Sequence, residues 1–211
     1  MCITMPVITR GVRFSIDDRV DEKVDRYLMP GKKINQSFMV LSGSLFIKAK
    51  SMELQSEIVN ELAEVLKERG ETIAVAESTT GGLISARLLA VPGASAYFLG
   101  GTVIYTRSSR KVFLGATAQD LSGVKPMTEE MAMFFAQKVR QMLSATWGVA
   151  ELGIAGPSGS AYGVNAGNSV IAVSGPVEAG LVVKTGQSDR AENMEAFADS
   201  ACQLIRDALS G

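Results

Sequence analysis

The stretch Thr72-Ile73-Ala74-Val75-Ala76-Glu77-Ser78-Thr79-Thr80-Gly81-Gly82-Leu83-Ile84-Ser85-Ala86-Arg87-Leu88-Leu89 holds three units in direct succession. Residues 72–76 are an apolar run of strand length. Glu77–Gly82 is a turn of hydroxyl residues and glycine, and Leu83–Leu89 is a run of good helix formers that stops before Pro92-Gly93. A strand that feeds a helix through a small-residue turn is the recurring unit of α/β folds.

The same alternation continues on both sides. Upstream, Leu54, Ile58, Leu62, Val65 and Leu66 recur at helical spacing and Gly70 follows as a stop. Downstream, Gly100-Gly101 precedes a strand over Thr102–Thr106, and Ser108 or Ser109 is placed to cap a short helix through Leu114-Gly115. Thr128 is an N-cap candidate for a helix running to about Trp147, with Glu129 and Glu130 in its first turn. Residues 149–155 read as a strand entering the loop Gly156-Pro157-Ser158-Gly159-Ser160. Two further strands, Ser169–Val173 and Leu181–Lys184, join across Gly175-Pro176, and an amphipathic helix covers Asp189–Leu209. The expectation is a three-layer α/β/α domain with a mixed sheet, its late strands including antiparallel pairs.

Composition narrows the chemistry. The 211 residues are 46% hydrophobic and 20% charged, enough for one domain with an ordinary core. The chain has no histidine, so a His-based triad, an HExxH zinc site and every imidazole ligand set are excluded. Cys2 and Cys202 stand at opposite ends with no CxxC spacing, so no metal knuckle or disulfide framework is readable. A formal net charge of −1 without a basic stripe argues against a nucleic-acid partner. No apolar run reaches the roughly 18–20 residues that span a bilayer, and MCITMPVITR is not a signal peptide, so a cytoplasmic protein with no membrane partner is expected. Residues 1–51 carry an excess of basic side chains and residues 52–211 an excess of acidic ones. Residues 1–51 are therefore read as an N-terminal extension, partly ordered or upstream of a start at Met52, and 52–211 as the domain.

Ligands in an open α/β sheet bind beyond strand ends, so the loops Glu77–Gly82, Pro92–Ser95 and Gly153–Ser160 are the candidate sites. Ser78, Thr79, Thr80, Gly81 and Gly82 open a helix whose first N–H groups suit either a bound anion or simple capping. There is no GxxxxGK[ST] and no GxGxxG after a strand, so nucleotide-cofactor motifs are missing and no cofactor is expected. Nor is a metal, because carboxylates and carbonyls are the only ligands on offer. Without histidine, a serine nucleophile needs another base, and a desolvated lysine is the physical solution; Lys111 is the candidate for this set of loops.

At Ala76–Gly82, together with Val91-Pro92-Gly93-Ala94-Ser95-Ala96-Tyr97-Phe98, Gly101–Tyr105 and Gly153-Ile154-Ala155-Gly156-Pro157-Ser158-Gly159, the chain resembles the C-terminal domain of the competence/damage-inducible protein CinA. The resemblance covers about residues 52–211. Enzymes of that family deamidate nicotinamide mononucleotide to nicotinic acid mononucleotide and ammonia through a Ser/Lys dyad. The resemblance implies Ser78 as nucleophile, Tyr105 as a site residue, and substrate or phosphate binding by Thr79, Thr80, Gly81, Gly82, Gly93, Ala94, Ser95, Gly156, Ser158 and Gly159. It also implies a homo-oligomer acting on a small nucleotide-like molecule.

Three positions depart from the family pattern. The dyad lysine falls on Arg110, which stays protonated and is a poor proton acceptor, with Lys111 one position, about 100°, around the helix. Val164-Asn165-Ala166-Gly167-Asn168 stands where the family commonly has Lys-Pro-x-Gly-Thr, and Thr79 stands where it has Cys. Two functions follow as alternatives: a serine amidohydrolase of the deamidase type, or an altered paralogue that binds a phosphorylated ligand through the same loops and Arg110 without hydrolysing it.

Overall fold

A computed structural model describes residues 38–41, 44–47 and 56–211 of the chain. They fall in two units, one within Met1–Met52 and one over Glu53–Gly211. In the first, β1 (Phe38–Leu41) and β2 (Ser44–Ile47) pair antiparallel, with Leu41 opposite Ser44. These strands come from the apolar run Phe38–Ile47, which has no convincing helical or strand period in the sequence. The reading of residues 1–51 as an extension, with a start at Met52, falls mostly outside the described residues.

The second unit is built on a sheet of order β4-β3-β5-β6-β7. Its strand β3 (Ile73–Glu77), second in the order, is buried throughout and lies parallel to both β4 (Phe98–Val103) and the central β5 (Trp147–Ile154). β6 (Asn168–Ser174) and β7 (Glu178–Lys184) extend the sheet antiparallel. The mixed sheet and its antiparallel late strands match the expectation.

Period-two alternation divides the core between the two faces. Ile73 and Val75 pack with Val149, Ile171 and Val173 against α1 (Glu57–Arg69), α2 (Leu83–Ala90) and α5 (Arg190–Ser210). Ala74, Ala76, Ala150 and Leu152 pack on the other side against α3 (Arg107–Leu114) and α4 (Glu129–Leu143). The small alanines on this face let Phe135 and Val139 of α4 approach the strands. The architecture is three-layered, α/β/α.

Three boundaries move for local physical reasons. β4 starts at Phe98 and includes Gly100-Gly101, read above as its punctuation; a Cβ at Gly101 would stand 2.1 Å from Ser85 Oγ, so glycine serves close packing on α2. Helix α3 is capped by Thr106 rather than by Ser108 or Ser109. Thr106 Oγ1 accepts from Ser109 N at 3.1 Å, and Ser109 Oγ accepts from Thr106 N at 2.9 Å, a reciprocal capping box. Thr128 caps α4 as expected, but the helix ends at Leu143 because Ser144 turns left-handed (φ 52°) and Trp147 already opens β5.

The register places the functional edge. Glu77 lies opposite Val103 and Glu151, Ile154 opposite Asn168, and Asn168 opposite Lys184. The Ser78 loop, Tyr105, the 155–167 loop and the start of α5 therefore converge at one end of the sheet. The Pro92–Ser95 loop does not. It precedes β4, where Tyr97 O accepts from Ile73 N at 2.8 Å, at the opposite end.

Candidate active site

Glu77 ends β3 and Glu151 lies within the apolar β5, and the two face each other across the parallel ladder. Both are buried, with 1% and 0% exposure. Among the described residues neither forms a salt bridge; the loop that carries Ser78 folds around them instead. Glu151 Oε2 accepts from Ser78 N (3.1 Å), Thr80 N (3.0 Å) and Thr80 Oγ1 (3.0 Å). Its Oε1 accepts from Thr79 Oγ1 (2.6 Å) and Ser169 Oγ (3.1 Å). Glu77 Oε2 accepts from Gly82 N (2.9 Å), Ile84 N (3.1 Å) and Thr80 Oγ1 (2.8 Å), and its Oε1 from Ser85 N (2.9 Å) and Ser85 Oγ (2.6 Å).

This geometry resolves the alternative left open for the helix start. The N-terminus of α2 is filled by the chain's own Glu77 carboxylate and the Thr80 amide is taken by Glu151, so the N–H groups of Thr80 and Gly82 are turned inward onto the two carboxylates. Gly81 (φ 64°) and Gly82 (φ 108°) supply the left-handed backbone by which the loop wraps the carboxylates. Ser78 Oγ differs from its neighbours. It has no hydrogen-bond partner among the described residues and is not among the buried side-chain atoms lacking one, so it reaches solvent although the residue is only 5% exposed.

Beside this loop lies a pocket of about 290 Å³, lined by Thr79, Tyr105, the 153–156 segment, Ser158–Tyr162 and Arg190. Of the expected residues it gathers Thr79, Tyr105, Gly156, Ser158 and Gly159. Gly93, Ala94 and Ser95 are not brought here within one chain; they sit at the far end of the sheet, where Ala94 joins the core under α1. Lys111 is exposed on α3, whereas Arg110 is the half-buried, inward residue of that pair.

Arg110 Nε donates to Ile104 O at 3.2 Å, and its guanidinium lies 5.2 Å from the centroid of the Phe135 ring. Burial lowers its pKa from the ordinary arginine value, while Tyr162 nearby acts in the opposite sense and Arg107 adds to the lowering. Arg190 Nη1 donates to Gly156 O at 2.9 Å. Neither arginine has a carboxylate partner among the described residues, and no carboxylate lines the pocket. Two tyrosines, several hydroxyls and the Arg190 guanidinium line the pocket, a set that suits a flat polar ring carrying an anionic group; Arg110 does not line it but lies close enough to Tyr162 to feel its charge.

The segment that departs from the family pattern closes this wall. Ser160 N donates to Val164 O (2.7 Å) and Ser160 Oγ accepts from Val164 N (3.0 Å), while Asn168 Nδ2 donates to Asn165 O (3.0 Å). From α5, the buried Asn193 holds the base of the loop by donating to Ala155 O at 2.8 Å. Sequence reading missed Glu77, Glu151, Tyr162, Arg190 and Asn193. The first two carried a signal, because a carboxylate inside an otherwise apolar strand is anomalous. The others are legible only once the loops meet.

Comparison with known proteins agrees with this architecture. The sequence profile of the CinA C-terminal domain matches residues 55–209. A CinA-like protein of Anaeromyxobacter sp. (strain K) is 32% identical over 206 residues, which are 94% of this chain and 50% of that protein. A CinA-like protein of Salinibacter ruber is 37% identical over 149 residues, 71% of this chain and 36% of that protein. The chain thus spans about half, or less, of the length of these curated relatives. The crystal structure of the competence/damage inducible protein CihA from Agrobacterium tumefaciens superposes with a TM-score of 0.65 at 28% identity, covering 76% of this chain and all of that one.

Proposed function

The chain belongs to the CinA C-terminal domain family, and from that premise we propose that it is a serine amidohydrolase converting nicotinamide mononucleotide to nicotinic acid mononucleotide and ammonia. The observation that carries this reading is Ser78 Oγ, unpartnered among the described residues and solvent-reaching at the end of a buried strand, in a loop whose next residue lines the pocket. In the proposed reaction Ser78 Oγ bonds to the carboxamide carbon, its proton passes through pocket water to the amide nitrogen, and ammonia leaves. Water then cleaves the acyl-enzyme to the carboxylic acid and restores the serine. Tyr105 and Tyr162 offer faces to the pyridine ring and Arg190 offers a guanidinium group to the phosphate, with Arg110 a second cation near Tyr162 behind the pocket lining. The proposal is of a cytoplasmic homo-oligomer acting on a small nucleotide, with no nucleic-acid or membrane partner. No helix among the described residues is long and apolar enough to cross a membrane.

Arg110 favours a second reading as well. An arginine keeps its proton, so the same pocket can bind a phosphorylated ligand and leave it intact. Ammonia release from nicotinamide mononucleotide by the full chain separates the two. Activity in the wild type, lost in Ser78→Ala and with KM raised about tenfold or more in Arg190→Ala, supports the hydrolase, since a charge-assisted bond contributes ~1.5–3 kcal/mol. Silence in the wild type with activity gained in Arg110→Lys supports the binding paralogue. Silence in both, with no calorimetric binding of the nucleotide, removes both readings.

A further inference from the structure

We propose that Glu151 and Glu77 are positioning residues for the Ser78 nucleophile, and that by consuming the other amides of its loop they leave the Thr79 N–H as the oxyanion donor. The proposal rests on the serine-nucleophile reading above but not on the identity of the amide.

Burying a carboxylate without a cationic partner is costly unless its lone pairs are filled. Two stand side by side here, 0% and 1% exposed, ringed by nine donor atoms, nearly all in one eight-residue stretch, with the single Thr80 hydroxyl proton shared between them. A helix start needs one capping acceptor, which Glu77 alone provides. Glu151 adds nothing to that cap, for its bonds go to Ser78, Thr79, Thr80 and Ser169. What it holds is the nucleophile's own backbone and the residue on either side of the turn.

Accounting for the amides makes the assignment. Ser78 N and Thr80 N go to Glu151, and Ser78 N also to Glu151 O at 3.0 Å. Gly82 N, Ile84 N and Ser85 N go to Glu77, and Leu83 N goes to Thr80 O. Among the described residues the loop amides left without a partner are those of Thr79 and Gly81. Gly81 packs toward Met194 of α5, while Thr79 lines the pocket and directly follows the nucleophile. As the Ser78 Oγ–carbon bond forms, the carbonyl oxygen becomes an oxyanion, and a fixed N–H on the adjacent residue is placed to receive it. The Thr79 hydroxyl is an anchor rather than a rival nucleophile. Its proton is committed at 2.6 Å to Glu151, which also holds the Ser78 and Thr80 amides.

The test is the rate at which the full chain is labelled on Ser78 by a fluorophosphonate, read by mass spectrometry. The serine oxygen displaces fluoride from phosphorus, the serine proton goes to water, and the phosphoryl oxygen requires the oxyanion donor. The wild type is expected to label at Ser78. Glu151→Gln, folded by its thermal transition, should lose about a hundredfold or more in kinact with KI unchanged, the scale of losing one oxyanion donor. Ser169→Ala, which removes a single bond to Glu151, should lose several-fold in kinact and serves if Glu151→Gln does not fold. Unchanged kinact in the folded variants, a rise confined to KI, or no labelling of the wild type would overturn the proposal. A chain that labels normally yet releases no ammonia from nicotinamide mononucleotide would end the deamidase reading and leave this one standing.

Discussion

At the residue scale, Gly153 shows how little room the site leaves. A Cβ there would stand 2.1 Å from Thr79 Oγ1, 2.5 Å from Glu151 Oε1 and 3.0 Å from the Phe197 ring. The short Thr79–Glu151 bond exists only because β5 carries no side chain at this point. Gly153→Ala is expected to lower stability by about 1–3 kcal/mol, the range for forcing atoms into a packed site. It should also abolish Ser78 labelling through displacement of Thr79. Thermal unfolding and labelling measured together check this, and a variant with wild-type values for both would contradict the geometry. Gly153 was legible as part of a glycine-rich loop, but its partner atoms come from residues 74, 2 and 44 positions away in the chain. Proximity of that kind is set by the β3–β5 ladder and is invisible to local pattern.

At the element scale, α3 is the piece on which the unusual arginine is mounted. It has only 8 residues, too few to be stable by itself, so its caps matter: the Thr106–Ser109 box at one end and left-handed Gly115 at the other. Arg110 lies one turn from that box, its Nε tied back to Ile104 O. Thr106→Ala is expected to cost about 1 kcal/mol. For a domain of this size that is a fall of about 2–4 °C in Tm, readable by calorimetry. Because the cap sets where Arg110 stands, the same variant should weaken nucleotide binding; an unchanged affinity would mean that Arg110 is held by Phe135 alone. The existence of this helix was readable from its glycine stop. Its cap was not, because Thr106, Ser108 and Ser109 are all competent cap residues, and only the turn after β4 selects among them.

At the scale of the whole molecule, α5 joins the site to the core. Its first turn supplies Arg190 and Asn193 to the pocket loops, and its remaining length packs on the sheet beside α1 and α2. Arg87 of α2, 5% exposed, ties the two helices together through Glu195 (2.7 Å) and Asp199 (2.8 Å). Cys202 lies in the same layer, where burial chiefly pushes its thiol up from 9.0 to about 11, against smaller lowering by Arg87. Above pH 9 the unfolded thiol ionises while the folded one keeps its proton, so stability falls as pH rises from 9 to 11. The loss attributable to this group is at most about 2.7 kcal/mol. Cys202→Ala should lack that component, so urea unfolding of the two proteins should converge or cross between pH 9 and 11. A constant difference across that range would show that the thiol is not desolvated.

Fold class was within reach of the sequence because strand and helix periods, glycine stops and hydroxyl caps are local properties that survive tertiary packing. The proposed nucleophile, Ser78, could be named from sequence for a different reason, since it belongs to a contiguous motif. Element ends were less secure where one physical role has several competent residues, as at Thr106, or where a glycine serves close packing rather than a turn, as at Gly101. The carboxylate pair, the amide left free at Thr79 and the exclusion of Gly93, Ala94 and Ser95 from the pocket were decided by the tertiary structure. Strand order and register bring residues 77 and 151 into contact, and put the 92–95 loop at the far end of the sheet. Those are long-range pairings, and no local preference in the chain encodes them.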